Sequence, residues 1–259
     1  MNATAEYLFD LRRHRLIVSS LPTELIPESV DAAYCAQDAL IARILARSGG
    51  RAIGYKVAAT NPFARALLKV PAPFYGVLLS ESTHRSPATR PAGDFTVRCI
   101  EAEFGFELGA DVPAAGCPYT RESIVDFIAA AIPSIEIVDH RYADWAAVGA
   151  ASLIADNAIH GAWIEGEPVA DWRDLDLARQ TVTLTVNGKP FSAGTGADVL
   201  GHPLNVVAWL ADELARTGRQ FLRGDKITTG IAAPVYLAEA GDHLLADFGR
   251  LGRVELTMK

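Results

Sequence analysis

Arg98-Cys99-Ile100-Glu101-Ala102-Glu103-Phe104-Gly105-Phe106-Glu107-Leu108 is the stretch from which the fold can be read. On a strand, successive side chains alternate faces. Ala102, Phe104, Phe106 and Leu108 then make an apolar face, and Glu101, Glu103, Gly105 and Glu107 make the other. That period of two is a strand signal rather than a helical one. Glu101 and Glu103 would stand about 7 Å apart at Cα, and such a pair repels itself unless water or a cation sits between. Taken alone, the segment reads as a half-buried strand with a solvated outer face. The alternative is a pair of oxygen ligands for a hard divalent cation, Mg²⁺ or Mn²⁺.

A second acidic strand changes the weighing. In Ile132-Pro133-Ser134-Ile135-Glu136-Ile137-Val138-Asp139, Glu136 stands in a very apolar run. A lone buried carboxylate is costly unless paired or bound to metal. It could pair with Arg141, or it could be a third ligand facing Glu101 and Glu103. Three carboxylates around a divalent cation would leave a net charge of about −1, with open positions for an anionic substrate or water. Lys56 lies in Gly54-Tyr55-Lys56-Val57-Ala58-Ala59-Thr60. There it is either an edge lysine with its head in solvent or a cation aimed into a site.

Further from these strands, the first 50 residues read as helical. Ser29 follows Pro27-Glu28, Ala33, Ala36, Leu40 and Ile44 recur at helical spacing, and Gly49-Gly50 ends the run. Strand-like runs then follow at 53–58, 75–79, 99–108, 134–138, 159–164 and 181–186, interrupted by helices over 121–131 and 204–217. The last 35 residues read as strands with turns at Arg223-Gly224-Asp225 and Ala240-Gly241-Asp242. The expected class is α+β: a helical N-terminal segment, 1–50, leading into a strand-rich body, 51–259, as one continuous domain.

Composition sets bounds. The chain has 259 residues, is 50% hydrophobic and 21% charged, and carries a formal charge of −7. This is globular composition with no basic run, so a nucleic-acid partner is not expected. The apolar stretch 124–138 is broken by Asp126, Pro133 and Glu136, and no membrane span is expected. Cys35, Cys99 and Cys117 form no CxxC pair, and Cys35 reads as a core residue of its helix. Charged residues at the N-terminus argue against a secretory signal, so a cytoplasmic location is expected. Gly194-Thr195-Gly196-Ala197-Asp198-Val199 lacks the last glycine of a dinucleotide fingerprint, no histidine pair has zinc spacing, and there is no GxSxG elbow.

Several stretches taken in order resemble one family. They are Gly54 to Thr60, Tyr75-Gly76-Val77-Leu78, Glu101-Ala102-Glu103, Glu136-Ile137-Val138-Asp139, Ala155-Asp156-Asn157-Ala158, Val199 to Asn205, and Gly224-Asp225 through Thr229-Gly230. Each is common, and the ordered set is specific. The chain resembles the 2-keto-4-pentenoate hydratase branch of the fumarylacetoacetate hydrolase superfamily. The resemblance implies a mixed β-roll body and a homo-oligomer. It implies that Glu101, Glu103 and Glu136 hold Mg²⁺ or Mn²⁺ and that Lys56 sits in the active site. Three departures stand out. Ser80-Glu81 replaces an acidic pair, His140 stands where Ser is frequent, and Ile159 stands where Ser usually follows the Ala-Asp-Asn-Ala run.

The implied activity is that of a lyase on a 2-hydroxy-2,4-dienoate, with Lys56 moving a proton or clamping the carboxylate and Glu81 assisting the water. Ser80, His140, Arg141, Asn157 and Thr229 are the candidate substrate contacts. Decarboxylation of a 2-oxo-hexenedioate is the alternative, because the same metal would stabilise the same enolate. A non-catalytic partner subunit is a third reading, opposed by the intact carboxylates and Lys56. Hydrolysis of a carbon–carbon bond would need a His–Glu pair upstream, and only His14 occurs among residues 1–50.

Overall fold

The N-terminal helices follow from their ends. In the computed structural model, which describes residues 2–259, α1 is Ala3–His14 and α2 is Val30–Ser48. Asn2 and Ser29 accept hydrogen bonds from Ala5 and Ala32 N–H as N-caps, and Gly49 closes α2 in the left-handed conformation. Then come β1 (Ala52–Ala58), α3 (Pro62–Leu68), β2 (Phe74–Leu79), β3 (Thr83–Arg85), β4 (Ala88–Arg90) and β5 (Cys99–Leu108). They are followed by α4 (Arg121–Ile124), β6 (Ile128–Val138), α5 (Ala150–Ala155), β7 (His160–Glu165), β8 (Thr181–Val186) and β9 (Lys189–Thr195). The chain ends with α6 (Pro203–Arg216), β10 (Lys226–Ile231), β11 (Tyr236–Leu237), β12 (His243–Asp247) and β13 (Arg253–Met258). The class is α+β, as expected.

The larger sheet runs β2-β1-β10-β5-β6-β7-β3, with β11 also on β5. β2 and β3 lie at opposite ends of that order, yet only Ser80–Ser82 separates them in the chain. The sheet therefore curls until its two edges approach. The side chain of Asn157 closes the seam: its Oδ1 accepts from Val77 N–H at 2.7 Å and its Nδ2 donates to Val77 O at 2.9 Å. One amide side chain thus satisfies both backbone groups of an edge strand.

The smaller sheet, β4-β13-β12-β8-β9, packs against the convex side. Phe104, on the apolar face of β5, meets Phe248 edge-on at 5.3 Å. Leu8, Leu11 and Leu40 of the helices share one core with Phe104, Phe106, Leu184, Val254 and Leu256. α2 is tied down by Gln37, buried, whose Nε2 donates to Tyr75 O and Ile154 O at 2.9 and 2.8 Å.

The helix expected over 121–131 is cut short and gives way to strand from Ile128. α4 is only Arg121–Ile124, a single 3₁₀ turn covers Val125–Phe127, and β6 begins at Ile128. Residues Ala130, Ala131 and Ile132 pair with Glu107, Phe106 and Gly105, and burial on both faces outweighs alanine's helical preference. Cys35 is exposed, not core. Tyr34, Leu40 and Ile41 of α2 are buried within the chain. Among the described residues, no helix is long and apolar enough to cross a membrane.

Candidate active site

The concave face of the curled sheet gathers the charged residues. Glu101 on β5 lies directly opposite Glu136 on β6, and Glu103 lies opposite Ser134. Directly opposed residues share a face, so register alone sets the carboxylates side by side. Lys56 on β1 pairs in register with Thr228 on β10, which pairs with Gly105 on β5. β1 and β6 are three strand spacings apart, roughly 14 Å in a flat sheet. Yet Lys56 Nζ lies 3.2 Å from Glu136 Oε1. Only the curl brings them together.

One carboxylate oxygen from each of Glu101, Glu103 and Glu136 lies within 4.8 Å of the others. That is inside the span of roughly 4–5 Å that two oxygens sharing a cation can cover. The outer face of β5 is thus not a solvated one: Glu103 is 0% exposed and Glu101 half-buried. Arg141 does not pair with Glu136. Its guanidinium binds Asp156 at 2.7 Å and Asp139 at 2.9 Å.

Each of the two fully buried carboxylates is divided between two tasks. Glu103 Oε2 accepts from the Thr228 hydroxyl and, at 2.7 Å, from Gly230 N–H. Glu136 Oε1 is held by Lys56 and by His160 Nδ1 at 2.8 Å. The other oxygens, Glu103 Oε1 and Glu136 Oε2, are buried with no hydrogen-bond partner among the described residues. An unpaired buried carboxylate oxygen is expensive. Hard oxygen donors converging with two such orphaned atoms fit a divalent cation. Lys56 adds the positive charge that the carboxylates alone lack: three anions, one ammonium and one divalent cation sum to neutrality.

Electrostatics agree. Burial, then the neighbouring Glu103, holds the Glu101 carboxyl well above the usual carboxylate range. Burial and Glu136 push Glu103 up to about 7. Burial also raises Glu136, against the pull of Lys56. Burial alone would lower the lysine, but Glu136, Glu101 and Glu103 outweigh it and keep Lys56 raised and charged. Lys56 is 2% exposed, so it is no edge lysine, and its Nζ also donates to Ala158 O at 3.1 Å.

That carbonyl is aimed by an unusual turn. Asn157, Ala158 and Ile159 all have positive φ, at 53°, 48° and 55°. Such a run of left-handed non-glycine residues is strained. It is bolted by the Asn157–Val77 clamp and by Asp156, which binds both Arg12 and Arg141 at 2.7 Å.

Other expected contacts lie elsewhere. Glu81 is exposed and accepts from the Ser48 hydroxyl at 3.0 Å, so the structure does not bring it to the carboxylates. The Ser80 hydroxyl accepts from Arg51 N–H. His140 stacks on Trp145, and Asn157 serves the seam. Thr229 donates to Phe104 O at 2.8 Å, while its neighbour Thr228 faces the site. Thr228, Gly230 and His160 were not among the expected contacts, although the run to Gly230 was one of the stretches that carried the resemblance. The one available signal for His160 was a polar ring in an apolar strand, which more commonly marks a satisfied core histidine.

Residues 51–259 match the family described as fumarylacetoacetate (FAA) hydrolase C-terminal. A 2-keto-4-pentenoate hydratase from Burkholderia vietnamiensis is 32% identical over 210 residues, covering 81% of this chain and 79% of that protein. A 2-hydroxyhexa-2,4-dienoate hydratase from Comamonas testosteroni is 35% identical, covering 77% and 75%. Among solved structures, the 4-oxalocrotonate decarboxylase from Pseudomonas putida G7, complexed with magnesium and adipate, superposes with a TM-score of 0.92. It is 27% identical, with 99% of this chain and 96% of that chain covered.

Proposed function

This chain belongs to the fumarylacetoacetate hydrolase C-terminal family, and from that premise we propose that it is a metal-dependent lyase adding water to a 2-hydroxy-2,4-dienoate to give a 4-hydroxy-2-oxo acid. The observation that carries the reading is the convergence of Glu101, Glu103, Glu136 and Lys56 on one buried concave face, with two carboxylate oxygens left unpartnered. Glu101, Glu103 and Glu136 would hold the cation, which we read as Mg²⁺ or Mn²⁺. When bound, it supplies Lewis-acid stabilisation of negative charge developing on the C1 and C2 oxygens of a 2-oxo acid.

The remaining work falls to the protein. Lys56 spends two of its three N–H donors on Glu136 and Ala158 O, leaving one for a substrate atom. Because it stays charged, it acts as a proton donor or as a clamp on the substrate carboxylate, not as the resting base. Glu81 has no part in this scheme, since its carboxylate is engaged at the end of α2.

Decarboxylation of a 2-oxo-hexenedioate is the second reading, favoured by the 0.92 TM-score to the decarboxylase. The experiment is turnover of a panel of 2-hydroxydienoates, of monoacid and diacid type, scored separately for 4-hydroxy-2-oxo product and for CO₂. Hydration without CO₂ supports the first reading. CO₂ release from the diacid alone replaces it with the second. We also propose a homo-oligomer of this chain.

A further inference from the structure

We propose that His160 is a positioning residue: its Nδ1–H locks one oxygen of Glu136 so that the other is presented to the cation. This rests on the reading of the three carboxylates as a cation site.

Glu136 is 0% exposed, and its oxygens have opposite fates. Oε1 accepts from His160 Nδ1 at 2.8 Å and faces Lys56 at 3.2 Å, while Oε2 has no partner. A carboxylate that holds a cation has no proton to give, so the hydrogen between the two groups belongs to His160 Nδ1. Nε2 is then the acceptor, and it faces the Ser82 hydroxyl at 3.4 Å. The lysine alone could not fix the carboxylate, because an ammonium on a flexible stem is a point charge with little directional demand. A planar ring at the start of β7 supplies the direction.

The ring itself cannot drift. His160 is 2% exposed, its carbonyl accepts from Arg12 Nη1 at 3.2 Å, and Arg12 is anchored on Asp156. The three left-handed residues before it set where the strand begins. Glu103 is treated in the same way by other means, with Oε2 fixed by Thr228 and Gly230 and Oε1 left open. Two buried ligands, each with one oxygen tethered and one orphaned, constitute a preorganised site.

The test pairs His160→Asn with His160→Leu. Both side chains branch at Cγ and have four heavy atoms, and only asparagine can donate from near the Nδ1 position. Free Mn²⁺ is counted by electron paramagnetic resonance in a titration of each protein, a readout independent of turnover. The leucine variant should bind Mn²⁺ about 10- to 100-fold more weakly, and the asparagine variant within about threefold of the unaltered chain. Equal binding by all three, or equal weakening in both variants, overturns the proposal. Failure of the unaltered chain to bind Mn²⁺ would instead overturn the cation site beneath it. Nitrogen-15 NMR of the unaltered protein decides without any variant: the Nδ1–H tautomer at His160 is expected, with a signal that moves on Mn²⁺-free Mg²⁺ addition. An Nε2–H tautomer overturns the proposal even if the leucine variant does not fold.

Discussion

At the scale of single residues, the site is an excess of buried negative charge awaiting compensation. Lys56 offsets one carboxylate, and the rest must keep protons or take a cation. Glu103 keeps its proton up to about pH 7, whereas an unfolded chain would release it near the ordinary glutamate value. The metal-free fold therefore binds more protons than the unfolded chain in that window, and its stability should fall as pH rises through it. Cation binding must displace the same proton. Mn²⁺ affinity should rise by about tenfold or more per pH unit below 7. Isothermal titrations across that range check this, and a flat profile would contradict it. Replacing Lys56 by Met should lower kcat by roughly 10²-fold or more while one Mn²⁺ per chain is retained. Lys56→Arg keeps the charge without a transferable proton. Activity in Arg but not Met assigns the clamp role, and full activity in Met removes the lysine from the mechanism. Glu136 was legible because a carboxylate in an apolar run demands a reason; Glu101 and Glu103 were legible only as a like-charged pair, which the resemblance joined to Glu136. Thr228 and His160 were not, since strand threonines and buried histidines seldom need one.

At the scale of elements, the seam is the device that matters. β2 and the turn before β7 are joined by Asn157, which stands in for a missing strand. Asn157→Leu would leave Val77 N–H and C=O buried and unpaired, at a cost of about 2–4 kcal/mol. Thermal unfolding should show a fall of several degrees, and an unchanged midpoint would contradict the clamp. Gly76→Ala should act similarly, because an added Cβ would overlap the Asn157 backbone. The β10 irregularity near Gly230 is equally specific. Its φ of 87° turns N–H toward Glu103, and a Cβ there would overlap the Thr60 hydroxyl. α2, β1, β5 and α6 were legible from caps, glycines and alternation, which are local signals. The first half of β6 was not, because Ala129-Ala130-Ala131 is helical by propensity and becomes strand only by pairing with β5. Asn157 was read as a substrate contact because the sequence carries no trace of the edge it closes.

At the scale of the whole molecule, curvature converts a row of strands into a site. No local pattern reports that β1 and β6 face each other, and the resemblance to a known family supplied what periodicity could not. The same curl buries α2 against β2, so the exposed apolar residues left for a partner copy are others, including Phe63, Phe191 and Leu237. Light scattering at micromolar concentration should report a multiple of the chain mass, and a monomer would contradict the oligomer. The chemistry turns on where a cation is held. An anomalous difference map at the manganese edge from a Mn²⁺-soaked crystal tests that most directly. It should show one peak within about 2.6 Å of the Glu101 carboxylate, of the Glu103 oxygen not held by Thr228 and Gly230, and of the Glu136 oxygen not held by Lys56 and His160. A peak elsewhere, or no peak at saturating Mn²⁺ near pH 8, would contradict it.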